Sequence, residues 1–61
     1  MNRKEQRLKI LRAIAQHGNN VSFQDVVKYS GVNESDAKQI VDELLSGGYL
    51  DKNEMPKLQT F

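Results

Sequence analysis

The stretch that predicts the fold covers residues 21–50 and reads VSFQDVVKYSGVNESDAKQIVDELLSGGYL. Near its start, the hydroxyl of Ser22 can accept the backbone N–H of Asp25, which would cap a helix. The Asp25 carboxylate can accept the backbone N–H of Ser22 in return, as in a shortened capping box. Gly31 can then take the left-handed conformation that ends a helix. These signals predict a helix over about residues 23–30.

A second, longer helix is predicted over about residues 34–46. Asn33 can cap it, because its side chain can accept the backbone N–H of Asp36. Gly47 and Gly48 end it. Its apolar residues recur at the spacing of one helical face, and they are Ala37, Ile40, Val41, Leu44 and Leu45. Two helices joined by a glycine-containing turn, with the second one longer, form a helix-turn-helix pattern.

The segment before this pattern predicts another amphipathic helix, over about residues 4–16. Its basic residues lie mostly off the apolar stripe. A turn follows at residues 17–20, and the single histidine, His17, is expected to be a surface residue or a charge partner at the helix end. The stripe is expected to consist of Leu8, Leu11 and Ala15, widened by Ile10 and Ile14.

The C-terminal part of the chain changes in character. A short apolar pair, Tyr49–Leu50, precedes a polar turn, and residues 58–61 alternate between apolar and polar side chains. This pattern predicts a small β-hairpin over residues 49–61, with its return strand beginning beyond Pro56. The alternative is a disordered tail after Asn53.

The predicted fold class is therefore mainly α with a small β-hairpin, in a single domain that spans residues 1–61. Residues 1–6 are expected to form a flexible basic N-terminus. A chain of 61 residues buries only about 60% of its unfolded surface, so partner binding or dimerisation can add stability. The predicted core members are Leu8, Leu11, Ile14, Val26, Val27, Ile40, Val41, Leu44 and Leu50.

The composition argues against several classes of function. There is no cysteine and only one histidine, so neither a disulfide nor a cysteine- or histidine-rich metal site is expected. No apolar run approaches the roughly 18 residues that span a bilayer, and the N-terminus lacks the apolar core of a signal peptide. We expect a cytoplasmic or nucleoid-associated protein without a cofactor or a membrane partner.

Catalysis is also not expected. The sequence shows no phosphate-binding loop, no metal-ligand spacing and no nucleophile–base set. The carboxylates of the helix at residues 34–46 can be considered as an acid–base site, but a small domain without a deep cleft disfavours that interpretation. We therefore predict neither an enzyme nor any catalytic residue.

Charge is distributed unevenly along the chain, although the formal net charge is only +1. Residues 1–12 contain five basic residues and one acidic residue, a net +4, whereas residues 13–61 carry a net −3. The helix at residues 34–46 itself carries −3, because it holds one lysine and four acidic residues. The basic end and the acidic body are separate features, and they are complementary surfaces for self-association.

The order of helix, helix-turn-helix, Gly-Tyr-Leu exit and ribbon resembles the winged-helix family. The segments Ser30–Asn33 and Leu44–Leu50 are similar to those that many bacterial and archaeal winged-helix regulators place before and after the recognition helix. The resemblance covers about residues 7–61 and implies a three-helix winged helix-turn-helix fold. It is less specific for function, because winged helices serve both as DNA readers and as protein-docking modules.

A second and shorter resemblance points to protein docking. Residues 21–26, followed by residues 38–42, look like the C-terminal winged helix of the middle subunit of eukaryotic replication protein A. That module docks partner helices and does not read DNA. Part of the match follows from the rules of helix capping alone.

The resemblance to regulators implies that the helix at residues 34–46 enters the major groove by its N-terminal half. Its acidic charge opposes contact with phosphates, whereas Gln39 can pair with adenine and Lys38 can reach guanine or phosphate. A solvated helix face is the plainer interpretation of the same residues. The predicted DNA-binding residues are Arg3, Lys4, Arg7, Ser35, Lys38, Gln39 and Lys52, and the residues of the docking alternative are Glu34, Asp42 and Glu43.

Two functions follow from these interpretations. The first is a small DNA-binding winged-helix protein that regulates transcription or controls a mobile element, with double-stranded DNA as its partner. The alternative is a protein–protein docking module of the replication, repair or transcription machinery, in which the acidic helix receives a protein partner or a second copy of the chain.

Overall fold

The computed structural model describes residues 2–18, 20–51 and 56–59, and its main elements are three helices. Helix α1 is Arg3–His17, α2 is Phe23–Ser30 and α3 is Glu34–Ser46. A short 3₁₀ helix, Pro56–Gln59, follows near the C-terminus. The three predicted helices are confirmed, with bounds within about one residue of those expected.

Each helix begins at a side-chain cap. Ser22 Oγ accepts the backbone N–H of Asp25 at 3.2 Å, and the Asp25 carboxylate accepts the backbone N–H of Ser22 at 3.3 Å, so the capping box is confirmed. Asn33 Oδ1 accepts the backbone N–H of Asp36 at 2.9 Å. Asn2 caps α1 in the same way, through the backbone N–H of Glu5 at 2.8 Å. These bonds satisfy N–H groups that a helix start leaves without a partner.

The helices pack against one another around one apolar core. Leu11, Val27 and Leu50 are only partly buried at its edge. Burial of so many apolar side chains is the main stabilising term for a chain of this size. The buried members of the core cluster are Ile10, Ile14, Val21, Phe23, Val26, Val32, Ala37, Ile40, Val41, Leu44, Leu45 and Leu58.

The register of α1 differs from the sequence prediction. Leu8 is 48% exposed and Ala15 is exposed, whereas Ile10 is fully buried at the centre of the face that enters the core. The Ile10 stripe is polar towards its N-terminal end, where it continues through Arg3 and Gln6, three and four residues apart along one face. Arg3 and Gln6 are polar because they form hydrogen bonds with α3. The face that contains Ile10 therefore has fewer apolar residues than expected of a buried face, and the pattern favoured the stripe that contains Leu8.

The return strand that was predicted beyond Pro56 is wrong at residues 57–59. Pro56–Gln59 forms a 3₁₀ helix that packs on α2, and Leu58 is fully buried in the core. In either a 3₁₀ helix or a strand, the single apolar side chain of Leu58 after Pro56 could pack on α2. The alternation of apolar and polar residues therefore did not distinguish a strand from a 3₁₀ helix. Over residues 2–18, 20–51 and 56–59 there is no strand, and the remainder of the predicted hairpin lies outside the described residues.

Candidate nucleic-acid interface

The turn between α2 and α3 is held by a short polar contact. Gly31 takes a left-handed conformation with φ of 72°, and its N–H bonds to the carbonyl of Val27. The buried hydroxyl of Ser30 accepts the backbone N–H of Val32 at 3.2 Å. Val32 is itself buried in the core. The turn therefore fixes how α3 leaves α2, which is the geometry that a helix-turn-helix requires.

The outward side of α3 carries most of the residues predicted to contact DNA. Ser35, Lys38, Gln39 and Asp42 are all exposed. At 100° per residue, Ser35, Gln39 and Asp42 share the side that is opposite the buried stripe, and Lys38 lies at its edge. The polar residues predicted to contact DNA and the Asp42 carboxylate therefore lie on one side of α3.

The start of α1 lies beside this face. The Arg3 guanidinium donates a hydrogen bond to Gln39 Oε1 at 2.9 Å, although the two residues are 36 positions apart. The Gln6 amide donates to Asp36 Oδ2 at 3.0 Å. The structure therefore brings together Arg3 and Gln39, which the sequence analysis placed on two separate elements.

Asp36 is occupied by hydrogen bonds on the flank of α3 that faces α1. The Asn33 amide donates to Asp36 Oδ2 at 2.8 Å, and this bond is the largest factor that lowers the pKa of Asp36 below 3.8. The bond from Gln6 lowers the pKa further, desolvation opposes these two bonds with a smaller effect, and the charge of Arg3 makes the smallest contribution, which also lowers the pKa. One of the four acidic residues of α3 is therefore held by hydrogen bonds from the cap residue Asn33 and from Gln6, and both bonds favour its charged form.

Three of the basic residues predicted to contact the DNA backbone, Arg3, Lys4 and Arg7, lie in the first part of α1. Lys4 is exposed near Arg3 in the first turn of α1. Arg7 lies further along, at a cleft of about 300 Å³ between α1 and the C-terminal end of α3. We call this the Tyr49 cleft, and its lining residues are Arg7, Leu11, Glu43, Leu44 and Tyr49. Lys52 lies outside the described residues.

The three residues of the docking alternative are exposed but are not equivalent. Glu34 lies in the first turn of α3, at the edge of its buried stripe, and Asp42 lies on the outward side with Gln39. Glu43 lies on the flank towards α1, where it lines the Tyr49 cleft. The structure does not bring the three carboxylates together on one side of the helix.

A second basic area, which the sequence analysis did not separate from the first, lies on the side of α1 that meets α2. Lys9 and Arg12 line a shallow groove there with Gln16 and Tyr29. The Tyr29 ring stacks on His17, with ring centroids 3.9 Å apart and planes 26° apart. The stack agrees with the prediction that His17 lies at the surface at the end of α1. Helical periodicity would have shown that Lys9 and Arg12 point away from Arg3 and Arg7.

Two further features are absent from residues 2–18, 20–51 and 56–59. No group of three or more histidine, cysteine, aspartate or glutamate side chains is arranged to hold a metal ion there. Within the same ranges, no helix has the length and apolar character needed to cross a membrane.

The family model described as the IclR helix-turn-helix domain matches residues 7–54, so it covers α1 from Arg7 onwards, α2, the turn and α3. No curated protein and no solved structure gives a significant match.

Proposed function

We propose, because this chain belongs to the IclR helix-turn-helix domain family, that α3 and the start of α1 form its DNA-binding surface. The family assignment makes the chain a DNA-binding domain of the transcription-regulator type rather than a member of an enzyme family. The specific function we propose is that the chain binds a double-stranded DNA site and thereby regulates transcription or controls a mobile element.

The observation that carries this proposal is the contact between Arg3 and Gln39. Helix α3 alone carries a net −3, and phosphate contacts supply most of the affinity of non-specific DNA binding. A guanidinium that is hydrogen-bonded to the outward side of α3 supplies positive charge where the helix itself lacks it. The negative charge of α3, which opposes DNA binding, is thereby reduced in part by a residue from α1.

The proposed roles follow the position of each side chain. Ser35, Lys38 and Gln39 would meet base edges, because the major groove is about 12 Å wide and admits one helix. The cations at the start of α1, Arg3 and Lys4, would contact phosphates beside the groove. Arg7 and Lys52 remain proposed backbone contacts, the first from the edge of the Tyr49 cleft and the second on the basis of sequence alone.

The wing and the docking alternative receive less support. The described part of residues 49–61 contains no strand, so we assign no base or groove contact to a wing. The family match favours DNA over a protein partner for α3. The family match gives no support to the resemblance with the C-terminal winged helix of the middle subunit of replication protein A.

The test is a binding titration against a random duplex library, followed by selection of the bound sequences. We expect binding that weakens steeply as salt rises, because released counterions drive it. Gln39→Ala should change the selected sequence, whereas Gln16→Ala, an exposed glutamine on the α2 side of α1, should leave it unchanged. Absence of binding even at low salt would contradict the proposal.

A further inference from the structure

We infer that the groove between α1 and α2 docks an acidic, extended segment of a partner protein. We call it the α1–α2 groove, and the described residues that line it are Lys9, Arg12, Ala13, Gln16, Tyr29 and Ser30. It is separate from the Tyr49 cleft and from the outward side of α3. The inference rests on the charged and hydrogen-bonding groups of this groove and does not depend on DNA binding.

One side of the groove is a stripe of polar side chains along α1. Lys9, Arg12 and Gln16 are all exposed, and because they are three and four positions apart, they follow one side of the helix. The described residues that line the groove include no carboxylate. Glu5 lies one helical turn before Lys9, and the one acidic residue of α2, Asp25, is held in its capping box. The groove therefore offers two cations and an amide to a negatively charged ligand.

Tyr29 forms the other side of the groove, and its ring is already in contact with neighbouring side chains. The ring stacks on His17 with centroids 3.9 Å apart, and Lys28 Nζ lies over it, 5.6 Å from its centroid. A nucleobase that stacked on this ring would compete with both contacts, whereas the phenolic hydroxyl can donate a hydrogen bond to a carboxylate. The groove therefore favours an acidic peptide over a single-stranded nucleic acid.

A duplex bound as proposed would not cover this groove. Arg12 is nine positions from Arg3, which places it about 180° around the helix. Arg3 bonds to Gln39 on the outward side of α3, whereas Arg12 lines the side of α1 that meets α2. A stiff duplex seated on α3 therefore leaves the α1–α2 groove open to a second ligand.

The spacing of the two cations fits carboxylates on alternate residues of an extended chain. Residues three positions apart on a helix have Cβ atoms about 5–6 Å apart, and alternate residues of an extended strand point to one side, about 7 Å apart. The long side chains of Lys9 and Arg12 can span this small difference. The groove has a volume of about 240 Å³, less than the roughly 300–1,000 Å³ of pockets that enclose small molecules. A peptide laid across the groove therefore fits better than an enclosed ligand.

Nuclear magnetic resonance of the whole isotope-labelled chain, without DNA, tests the inference with a defined probe. The probe is a short peptide of alternating glutamate and serine, and its control carries glutamine in place of each glutamate. We expect the acidic peptide to shift the amide signals of Lys9, Arg12 and Tyr29 with a dissociation constant below about 1 mM at low salt. The control should bind at least about tenfold more weakly. Absence of shifts from the acidic peptide, or shifts confined to the start of α1, would overturn the inference.

Two matched arginine variants distinguish the groove from a general attraction of charge. Arg12→Gln should weaken the acidic peptide about threefold to fivefold, the range of an exposed ion pair. Arg7→Gln makes the same change at an exposed position that lines the Tyr49 cleft instead, and it should weaken the peptide less than about twofold. Circular dichroism should show that both variants stay folded. Equal losses in the two variants would show that net charge alone attracts the peptide, which would contradict a built groove.

A single-stranded oligonucleotide in place of the peptide separates the two classes of ligand. Because the Tyr29 ring already contacts His17 and Lys28, we expect the oligonucleotide to shift the groove signals less than the acidic peptide does at the same concentration. Larger shifts from the oligonucleotide would make the groove a nucleic-acid contact and would reject a protein segment as its ligand.

Discussion

The Arg3 guanidinium lies 2.9 Å from Gln39 Oε1 and donates a hydrogen bond to it, so the first turn of α1 is joined to the outward side of α3. The bond occupies one acceptor site of the Gln39 amide and leaves its Nε2 group available to donate. A glutamine reads adenine by accepting from N6 and donating to N7, and an amide oxygen has two acceptor sites. Arg3 can therefore orient Gln39 without preventing that contact.

Arg3 should consequently affect both affinity and sequence preference. Arg3→Ala removes the proposed phosphate contact and also releases the Gln39 amide from its bond to Arg3. We expect the salt dependence of DNA binding to fall by about one unit of slope, together with a broader sequence preference at the base pair that Gln39 reads. Salt titrations with the selected duplex and with single-base variants of it would measure both effects.

Lys4→Ala is the matched control for this prediction. Lys4 is an exposed cation in the same turn of α1, so its loss should lower the salt slope by a similar amount. Its removal leaves the bond between Arg3 and Gln39 in place. If Lys4→Ala and Arg3→Ala change sequence preference equally, the orienting role of Arg3 is wrong.

Asp42 should weaken DNA binding by charge repulsion. It is exposed on the same side of α3 as Gln39, so a docked duplex would bring phosphates close to it. Asp42→Asn should strengthen binding, and the gain should shrink as salt rises, because exposed charges are screened over about 10 Å at 0.1 M ionic strength. Affinities of the two proteins between low and physiological salt would check this.

Glu5→Gln gives the control for Asp42. It makes the same change in net charge at an exposed position of α1 whose helical angle points away from α3. We expect its gain in affinity to be smaller than that of Asp42→Asn. Equal gains would show that only the total charge matters, and a loss of DNA affinity in Asp42→Asn would indicate that this carboxylate contacts a base instead.

The corrected register of α1 predicts a clear difference between two neighbouring residues. Ile10 is fully buried and Leu8 is 48% exposed. Ile10→Ala should lower the free energy of unfolding by about 2–5 kcal/mol, which could unfold a domain this small. Leu8→Ala should cost less than about 1 kcal/mol, because much of its surface already contacts water. Urea denaturation followed by circular dichroism would compare them, and a larger loss in Leu8→Ala would contradict the register.

The features that the sequence predicted correctly, the helix bounds and the turn between α2 and α3, depend on interactions between residues that are close in the chain. The caps at Ser22 and Asn33 and the stop at Gly31 need only residues that lie a few positions apart, so the helix bounds and the helix-turn-helix arrangement were accessible. The buried stripe of α3 was equally clear, because its five apolar residues follow one helical face.

What the sequence did not predict depends on distant partners. The choice between the Leu8 and Ile10 stripes was decided by packing on α2 and α3, and the hydrogen bond of Arg3 joins residues 36 positions apart. Leu58 enters the core from a 3₁₀ helix that rests on α2, which no local pattern distinguishes from a strand. The proposed DNA-binding residues of α1 and α3 were therefore predictable from the sequence, but the hydrogen bond that joins Arg3 to Gln39 was not.

The cap at the start of α3 should make stability depend on pH. Hydrogen bonds from Asn33 and Gln6 hold the pKa of Asp36 below its ordinary value of 3.8 in the folded protein. The folded state therefore binds this proton less tightly than the unfolded chain, so the stabilisation is complete above pH 3.8 and is lost as pH falls through the lower folded pKa. Asn33→Ala removes the largest of these bonds and also the cap bond from the backbone N–H of Asp36 to Asn33 Oδ1, and loss of the cap should lower the free energy of unfolding at pH 7 by about 0.5–2 kcal/mol. Because the bond to the charged carboxylate is already lost in acid, the difference between Asn33→Ala and its parent should shrink towards pH 2. Urea denaturation of both proteins from pH 7 to pH 2 would measure it, and a difference that stays constant over this range would show that the side-chain bond between Asn33 and Asp36 contributes nothing.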